Sequence, residues 1–429
     1  MATGFGGLRM EVRLWGVRGS LATPMSSSQL RDKVAALLAD ATPADLADLP
    51  AINRYLDRSP HSWTYGGNTS CVEVSFGDQL FVLDSGTGLR ALGVQLLKDG
   101  RAGKVGINMF FTHFHWDHIC GFPYFAPIYF KDRKIDVWGG RSDAEELLAT
   151  QMGGAHFPVK WANLASRITC HQLPEDVPTI IAGAEVRILP LIHPDRAYGY
   201  RITYRGRSVC YLTDTEVSKN PHRLNDVYAK FVDGADVVIV DAMYGFLDYH
   251  EKVNFGHSTI FNFIDFFRET AIGELVIFHH DPLASDPAVT ALWDDAKRYK
   301  SVIAPDATWK LTAAFEGQHW SLAESGPVPV VTTEAFAPPR PAPAAVEAKI
   351  PAKSEAAAAK PKATKPKPRP PKAASKSAPA KPRPMRKPAS RPPKPRPAPR
   401  ARPAAKTRTA KPKPAARPAR TKPGKRKRS

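Results

Sequence analysis

The 429-residue sequence contains only four cysteines, Cys71, Cys120, Cys170 and Cys210, with no Cys-x-x-Cys pair among them. They are too few and too scattered for a disulfide framework, so the expectation is reduced, mostly buried thiols in a cytoplasmic protein. Long apolar runs are also missing: no stretch approaches the roughly 18–20 residues of a membrane-spanning helix, and no membrane partner is expected. The opening, MATGFGGLRMEVRLWG, lacks the continuous apolar core of a secretory signal. Aromatics and acids are scarce in one region only. From Pro338 to Ser429 there is no Phe, Tyr or Trp, and only Glu347 and Glu355 stand against 30 Lys and Arg, a net charge of +28. Residues 1–337 hold 31 basic and 39 acidic side chains, a net of −8. The total of +20 therefore describes neither part.

The last 92 residues also carry 24 of the 41 prolines. Such a segment cannot bury enough apolar surface to offset its conformational entropy. The expected organisation is a globular domain over 1–325 and a disordered Lys/Arg/Pro/Ala-rich segment over 326–429. That segment resembles the basic tails of linker histones. Its prolines favour extended polyproline II and keep the charges apart. It would neutralise phosphates and release counterions, binding DNA, RNA or another polyanion without sequence preference. Lacking aromatics, it has no platform for stacking bases. A nucleoid- or nucleic-acid-associated location follows as an expectation.

Within the first part, MEVRLWG (10–16) alternates like a half-buried strand. Residues 24–60 change character: two helical stretches interrupt a strand-rich region and read as an insertion that could cover a site. Strand signals then recur at 71–76, 80–83, 105–112, 134–138, 185–191, 200–204, 208–212, 236–240 and 274–278. Helical stretches lie near 89–98, 142–152, 220–230, 258–269 and 286–299. Strands mixed with helices, some in hairpin-like pairs, predict a layered α/β (α+β) domain rather than a pure parallel sheet. The globular part is expected to end near Phe315–Leu322.

The chemistry concentrates in Phe110-Phe111-Thr112-His113-Phe114-His115-Trp116-Asp117-His118. An apolar strand runs into three histidines and an aspartate, a costly cluster unless something satisfies it. A metal does so, since imidazole nitrogen and carboxylate oxygen suit Zn²⁺ and also Mn²⁺ or Fe²⁺. His113 and His115 project to one side of an extended backbone and can reach one ion; Asp117 and His118 follow a turn and can serve a second. Further donors stand where other apolar stretches end or a helix begins: His193, Asp214, His257, His279 and His280. The repetition of strand and then donor separates these from His61, His171 and His319, which read as ordinary surface or core histidines.

HFHWDH, followed at increasing distance by His193, Asp214 and His279, resembles the metallo-β-lactamase superfamily, whose fold is a four-layer αββα sandwich. GVRGS (16–20), YGGNTSCVEV (65–74), LDSGTG (83–88), TDTE (213–216), GHST (256–259) and FHHDP (278–282) are similar to segments of its ribonuclease Z-like and cyclic-phosphodiesterase-like branch. The resemblance covers roughly 10–315. It implies His113, His115 and His193 on one metal, Asp117, His118 and His279 on the other, and Asp214 bridging. It further implies Asp117 and His257 as catalytic residues, with His257 donating a proton to the leaving group. Asp84 would orient a ligand histidine, His280 would stand behind the ligands, and Arg18 and Asn68 would contact substrate.

What the resemblance implies is a hydrolase with two divalent ions, Zn²⁺ or Mn²⁺, and a metal-bridging hydroxide attacking a phosphodiester. Only 20 residues separate His193 from Asp214, which leaves no room for the long tRNA-gripping arm of ribonuclease Z and favours small or cyclic phosphodiesters. Two alternatives stand beside it. One is a nuclease acting on nucleic acid captured by the basic segment. The other is a nucleic-acid-binding protein whose metal domain hydrolyses esters, thioesters or lactones. Oligomerisation is compatible with each.

Overall fold

The computed structural model describes residues 9–175, 177–217, 221–324 and 331–332. The chain divides into two units, Met1–Glu347 and Ala348–Ser429, and the described residues all belong to the first. The basic segment thus lies outside the described residues, except that Val331–Thr332 pair as a short strand. That pair falls inside the stretch expected to be disordered from 326; its β-branched run, VVTT, suits a strand.

Six strands build most of the first sheet: β1 (Arg9–Gly16), β2 (Cys71–Phe76), β3 (Gln79–Leu83), β4 (Gly106–Phe110), β5 (Lys134–Gly139) and β6 (Arg167–Gln172). Seven build the second: β7 (Thr179–Ile181), β8 (Ala184–Leu191), β9 (Ala197–Tyr204), β10 (Arg207–Leu212), β11 (Val237–Asp241), β12 (Glu274–Phe278) and β13 (Lys310–Ala313). The chain then returns to the first sheet with β14 (His319–Ala323) and β15 (Val331–Thr332). The sheet orders are β15-β14-β1-β2-β3-β4-β5-β6 and β13-β12-β11-β10-β9-β8-β7. Each sheet is half antiparallel and half parallel: β1 to β3 and β7 to β10 pair antiparallel, while β3 to β6 and β10 to β13 run parallel.

The parallel strands read as unbroken apolar runs, as strands covered on both faces must. VVIVD of β11 and ELVIF of β12 are buried at every residue. Between the sheets lies a core containing Val12, Leu14, Phe81, Phe110, Tyr200, Tyr211, Phe278 and Trp320. The helices are α1 (Ser27–Asp40), α2 (Leu49–Arg58), α3 (Gly88–Lys98), α4 (Trp116–Ile119), α5 (Ala144–Gln151), α6 (Pro221–Val232), α7 (Phe246–Glu251), α8 (Ile260–Phe267) and α9 (Asp286–Ile303), of which α3 and α5 cover the outer face of one sheet and α6, α8 and α9 that of the other. Leu89, Leu92 and Leu96 of α3 pack on one outer face, and Ile260, Phe263 and Phe267 of α8 on the other. The result is the four-layer αββα sandwich expected from the sequence.

All four cysteines are free; Cys71 and Cys210 are buried, Cys120 and Cys170 only partly so. Among the described residues, no helix is long and apolar enough to cross a membrane. The insertion forms α1 and α2, and its anchoring contacts run to residues 63 and 286 rather than to the histidine cluster: Lys33 Nζ donates to the Trp63 carbonyl at 2.7 Å and pairs with Asp286 at 2.8 Å.

Candidate metal centre

Donors gather where strands stop. β4 ends at Phe110, and the chain delivers His113, His115, Asp117 and His118 before α4 has finished. His193 follows β8, Asp214 follows β10, Asp241 closes β11 and His279 follows β12. A strand end brings two or three residues to the sheet edge but does not aim them. Aiming falls to the backbone: Asp84, Asp214 and His279 adopt left-handed φ values of 58°, 57° and 60°. Side chains other than glycine occupy that region at a cost, and such residues concentrate at functional sites.

Three groups of donors result, within each of which the donor atoms lie within 4.8 Å of one another, the third being Asp241, His257 and His279. His113, His115 and His193 form the first; Asp117, His118, Asp214 and His279 form the second. Asp214 faces both, with its carboxylate 3.8 Å from His113 Nε2, 3.1 Å from His118 Nε2 and 3.2 Å from His279 Nε2. Asp117 Oδ2 lies 3.2 Å from both His118 and His279 and accepts from the Ser20 amide at 2.7 Å.

Surrounding bonds fix which ring nitrogen is available. His118 Nδ1–H donates to Asp84 Oδ2 at 2.7 Å, leaving Nε2 toward the two carboxylates. Asp84 also accepts from the Thr112 amide and hydroxyl and from Tyr211 Oη at 3.0 Å. His193 Nδ1–H donates to the Gly256 carbonyl at 3.0 Å, which leaves its Nε2 toward His115. Gly256 has φ +88° and lies so close that a Cβ there would stand 2.3 Å from His193 Nδ1, so only glycine fits. Partners of this kind set the tautomer and direction of metal-binding histidines.

Electrostatics separate the members. Burial strongly disfavours the charged form of His113 and, less so, of His193, keeping both rings neutral with lone pairs available. Burial also opposes ionisation of Asp117 and Asp214, but the adjacent histidines outweigh it and hold both carboxyls well below their usual range. His118 moves the other way: despite burial, Asp214, Asp117 and Asp84 push it well above an ordinary histidine.

These residues fit divalent ions. His113 Nε2 is buried without a hydrogen-bond partner, an arrangement expensive in itself and resolved by a cation, and His118 Nε2 faces the Asp117 and Asp214 carboxylates that the same cation would bind. The donor set is nitrogen and oxygen with no sulfur, suited to Zn²⁺ and neighbouring divalent metals.

Beside the second group, His257 Nδ1–H donates to Asp241 Oδ2 at 2.8 Å and lies 3.8 Å from Asp214. Burial works against its charge, but the Asp241 carboxylate prevails and raises its pKa to about 9. The sequence reading did not single out Asp241; its signal was an apolar run, VVIVD, ending in a carboxylate like the others. Glu216 of TDTE was also passed over. It is buried and accepts from the Asn254 and Gly256 amides at 2.7 and 3.1 Å and from Tyr249 Oη at 3.0 Å, holding the segment that leads into His257.

Two expectations change. Arg18 is buried, and its guanidinium donates to the carbonyls of Gly66, Asp281 and Ala284. Asn68 is tied to Glu316 through its amide and side chain. Both are engaged in joining loops rather than presented to substrate. His280 points away from the donors, with Nε2–H on the Ala314 carbonyl at 2.8 Å and a pKa lowered by burial to about 3.

Residues 81–280 match the model of the beta-lactamase superfamily domain. A curated ribonuclease Z of Thermoplasma acidophilum is 25% identical over 273 residues, covering 53% of this chain and 84% of that protein. Among solved structures, the metallo-beta-lactamase fold protein YhfI from Bacillus subtilis aligns with a TM-score of 0.48 at 17% identity, over 73% of this chain and 99% of its own. The short form of human tRNase Z aligns with a TM-score of 0.44 at 17% identity, over 72% of this chain and 98% of its own. With two mixed sheets under flanking helices and a His/Asp cluster at their edge, residues 81–280 form a beta-lactamase superfamily domain with the make-up of a metal-dependent hydrolase, and the chain is similar to ribonuclease Z.

Proposed function

We propose that the protein hydrolyses small or cyclic phosphodiesters, with Zn²⁺ or Mn²⁺ as its working ions. The observation that carries this reading is His257, held protonated by Asp241 beside two adjoining donor groups. His113, His115 and His193, together with Asp117, His118, Asp214 and His279, would hold two divalent ions, which would supply Lewis acidity toward phosphoryl oxygens and acidify a water into a nucleophile. Asp117, kept ionised, orients the attacking water. Nδ1–H of His257 is bound to Asp241, so Nε2–H is the proton given to the departing alkoxide. Such a transfer is worth about 10²–10⁴ in rate. Small substrates are favoured because the chain from His193 to Asp214 is occupied by the β9–β10 hairpin, with no projecting arm.

The test is hydrolysis of bis(p-nitrophenyl) phosphate by the full chain with Mn²⁺ or Zn²⁺, against an EDTA control. His257→Ala should lower kcat by about 10²–10⁴ while metal content is unchanged. A folded, fully metallated protein with no turnover overturns the reading.

The +28 charge of residues 338–429 favours a second reading, cleavage of nucleic acid captured by that segment. Capture by counterion release weakens steeply with salt. Raising salt from about 0.05 to about 0.5 M should then abolish cleavage of long RNA but spare turnover of the small substrate.

A further inference from the structure

Residues 23–25, helix α1, the stretch 60–67, residues 282–285 and the first turns of α9 line a cavity of about 900 Å³, and no donor of the metal centre lines it. We propose that this cavity is a second ligand site, taking a small uncharged or cationic aromatic compound that carries a hydrogen-bond acceptor.

The cavity exists because α1 cannot close on the wall behind it. The residues α1 contributes to the lining are Gln29, Asp32, Lys33 and Ala36, polar or small, and no residue of the helix is buried. Lys33 spans the gap to the Trp63 carbonyl and Asp286 and so holds the hairpin at a distance. The volume lies in the range of ordinary small-molecule sites.

Its lining specifies the ligand. Trp63, Tyr65 and Trp293 offer flat apolar surface, the usual receptor for an aromatic ring. Trp63 Nε1–H and Thr23 Oγ1 are buried without a partner, and a ligand acceptor satisfies the indole once the wall adjusts to admit it. The lining carries two cations, and both are engaged: Arg18 with three carbonyls, Lys33 with a carbonyl and Asp286. Against them stand Asp32, Asp286 and Asp294. An anion therefore meets no uncommitted positive charge in the lining; of the carboxylates, Asp286 is paired with Lys33 and Asp294 with Lys297, which leaves Asp32 on α1 to receive an amine. The preference is opposite to that of the metal centre, so the cavity is not an extension of the phosphodiester site.

The test is binding of L-tryptophanamide to the full-length metallated protein, followed by ligand-observed NMR, with N-acetyl-L-tryptophan as the anionic counterpart. The expected result is saturable binding of the amide with Kd on the order of 1 mM or tighter, and binding of the anion at least about tenfold weaker. Ala36→Trp, which fills the cavity, should abolish binding. Trp63→Leu, which removes one aromatic wall, should weaken it by about tenfold. Thermal melts establish that each variant is folded, and both should retain hydrolysis of bis(p-nitrophenyl) phosphate. Absence of saturable binding by the wild type, unchanged affinity in folded Ala36→Trp or Trp63→Leu, or tighter binding of the anion would each overturn the proposal. Binding is read without turnover, so the outcome is independent of the phosphodiesterase reading.

Discussion

The two donor groups of the metal centre differ more than their shared edge suggests. His113, His115 and His193 are three imidazoles, one of them exposed and one half-buried. Asp117, His118, Asp214 and His279 are all buried and include two carboxylates. The first group is open on one side, and only His113 within it is buried, with its Nε2 unpartnered. The second group is sealed and charged. Its carboxylates are balanced, in the metal-free protein, by a protonated His118 that itself leans on Asp84. One group borders solvent, and the other is enclosed by the domain.

Removing the ions tests both groups at once and has the largest effect: EDTA, or His113→Ala in the first group, should abolish turnover, measured alongside metal content. Stability should then distinguish the groups. His118→Ala leaves Asp84, Asp117 and Asp214 short of a buried partner and should destabilise the metal-free protein by about 3 kcal/mol in urea unfolding. His115→Ala, at the exposed corner, should leave the unfolding midpoint almost unchanged. Equal effects would erase the distinction. The smallest expected effect concerns His257. Its acid form persists up to about pH 9 and is lost above it, so kcat should fall on the alkaline side near that pH. Asp241→Asn removes the carboxylate that raises the pKa, so the alkaline limb should move to lower pH and kcat at pH 8 should drop by about tenfold. A limb that stays in place would make Asp241 merely structural.

Most of the donors were legible because each is announced locally, by an apolar run that ends in His or Asp. Asp241 follows the same rule yet was missed, because its meaning lies in His257, sixteen residues on, and no local pattern couples them. Arg18 and Asn68 failed for the opposite reason. A polar residue in a Gly-rich loop looks available, and only the fold shows its hydrogen bonds already taken by Gly66, Ala284 and Glu316. The central strands were readable from length and β-branching. The weaker β6, β7, β13 and β14 were not, since RITCHQ and HWSLA are too short and polar to stand apart from loops. The left-handed backbones at Asp84, Asp214 and His279 have no sequence signal at all; the tertiary structure imposes them.

The position of β1 has a consequence for the growing chain. The first strand made is hydrogen-bonded on one side to β2 and on the other to β14, which is completed only at Ala323. Translation at about 5–20 residues per second leaves about 10–50 s between the end of β2 and the arrival of β14. Throughout that interval one side of a strand carrying Met10, Val12 and Leu14 is an unpaired edge, open to any other nascent chain. His279 also emerges late, so neither sheet edge nor metal site is complete until synthesis has passed both. The free edge of β1 is covered only when β14 pairs with it.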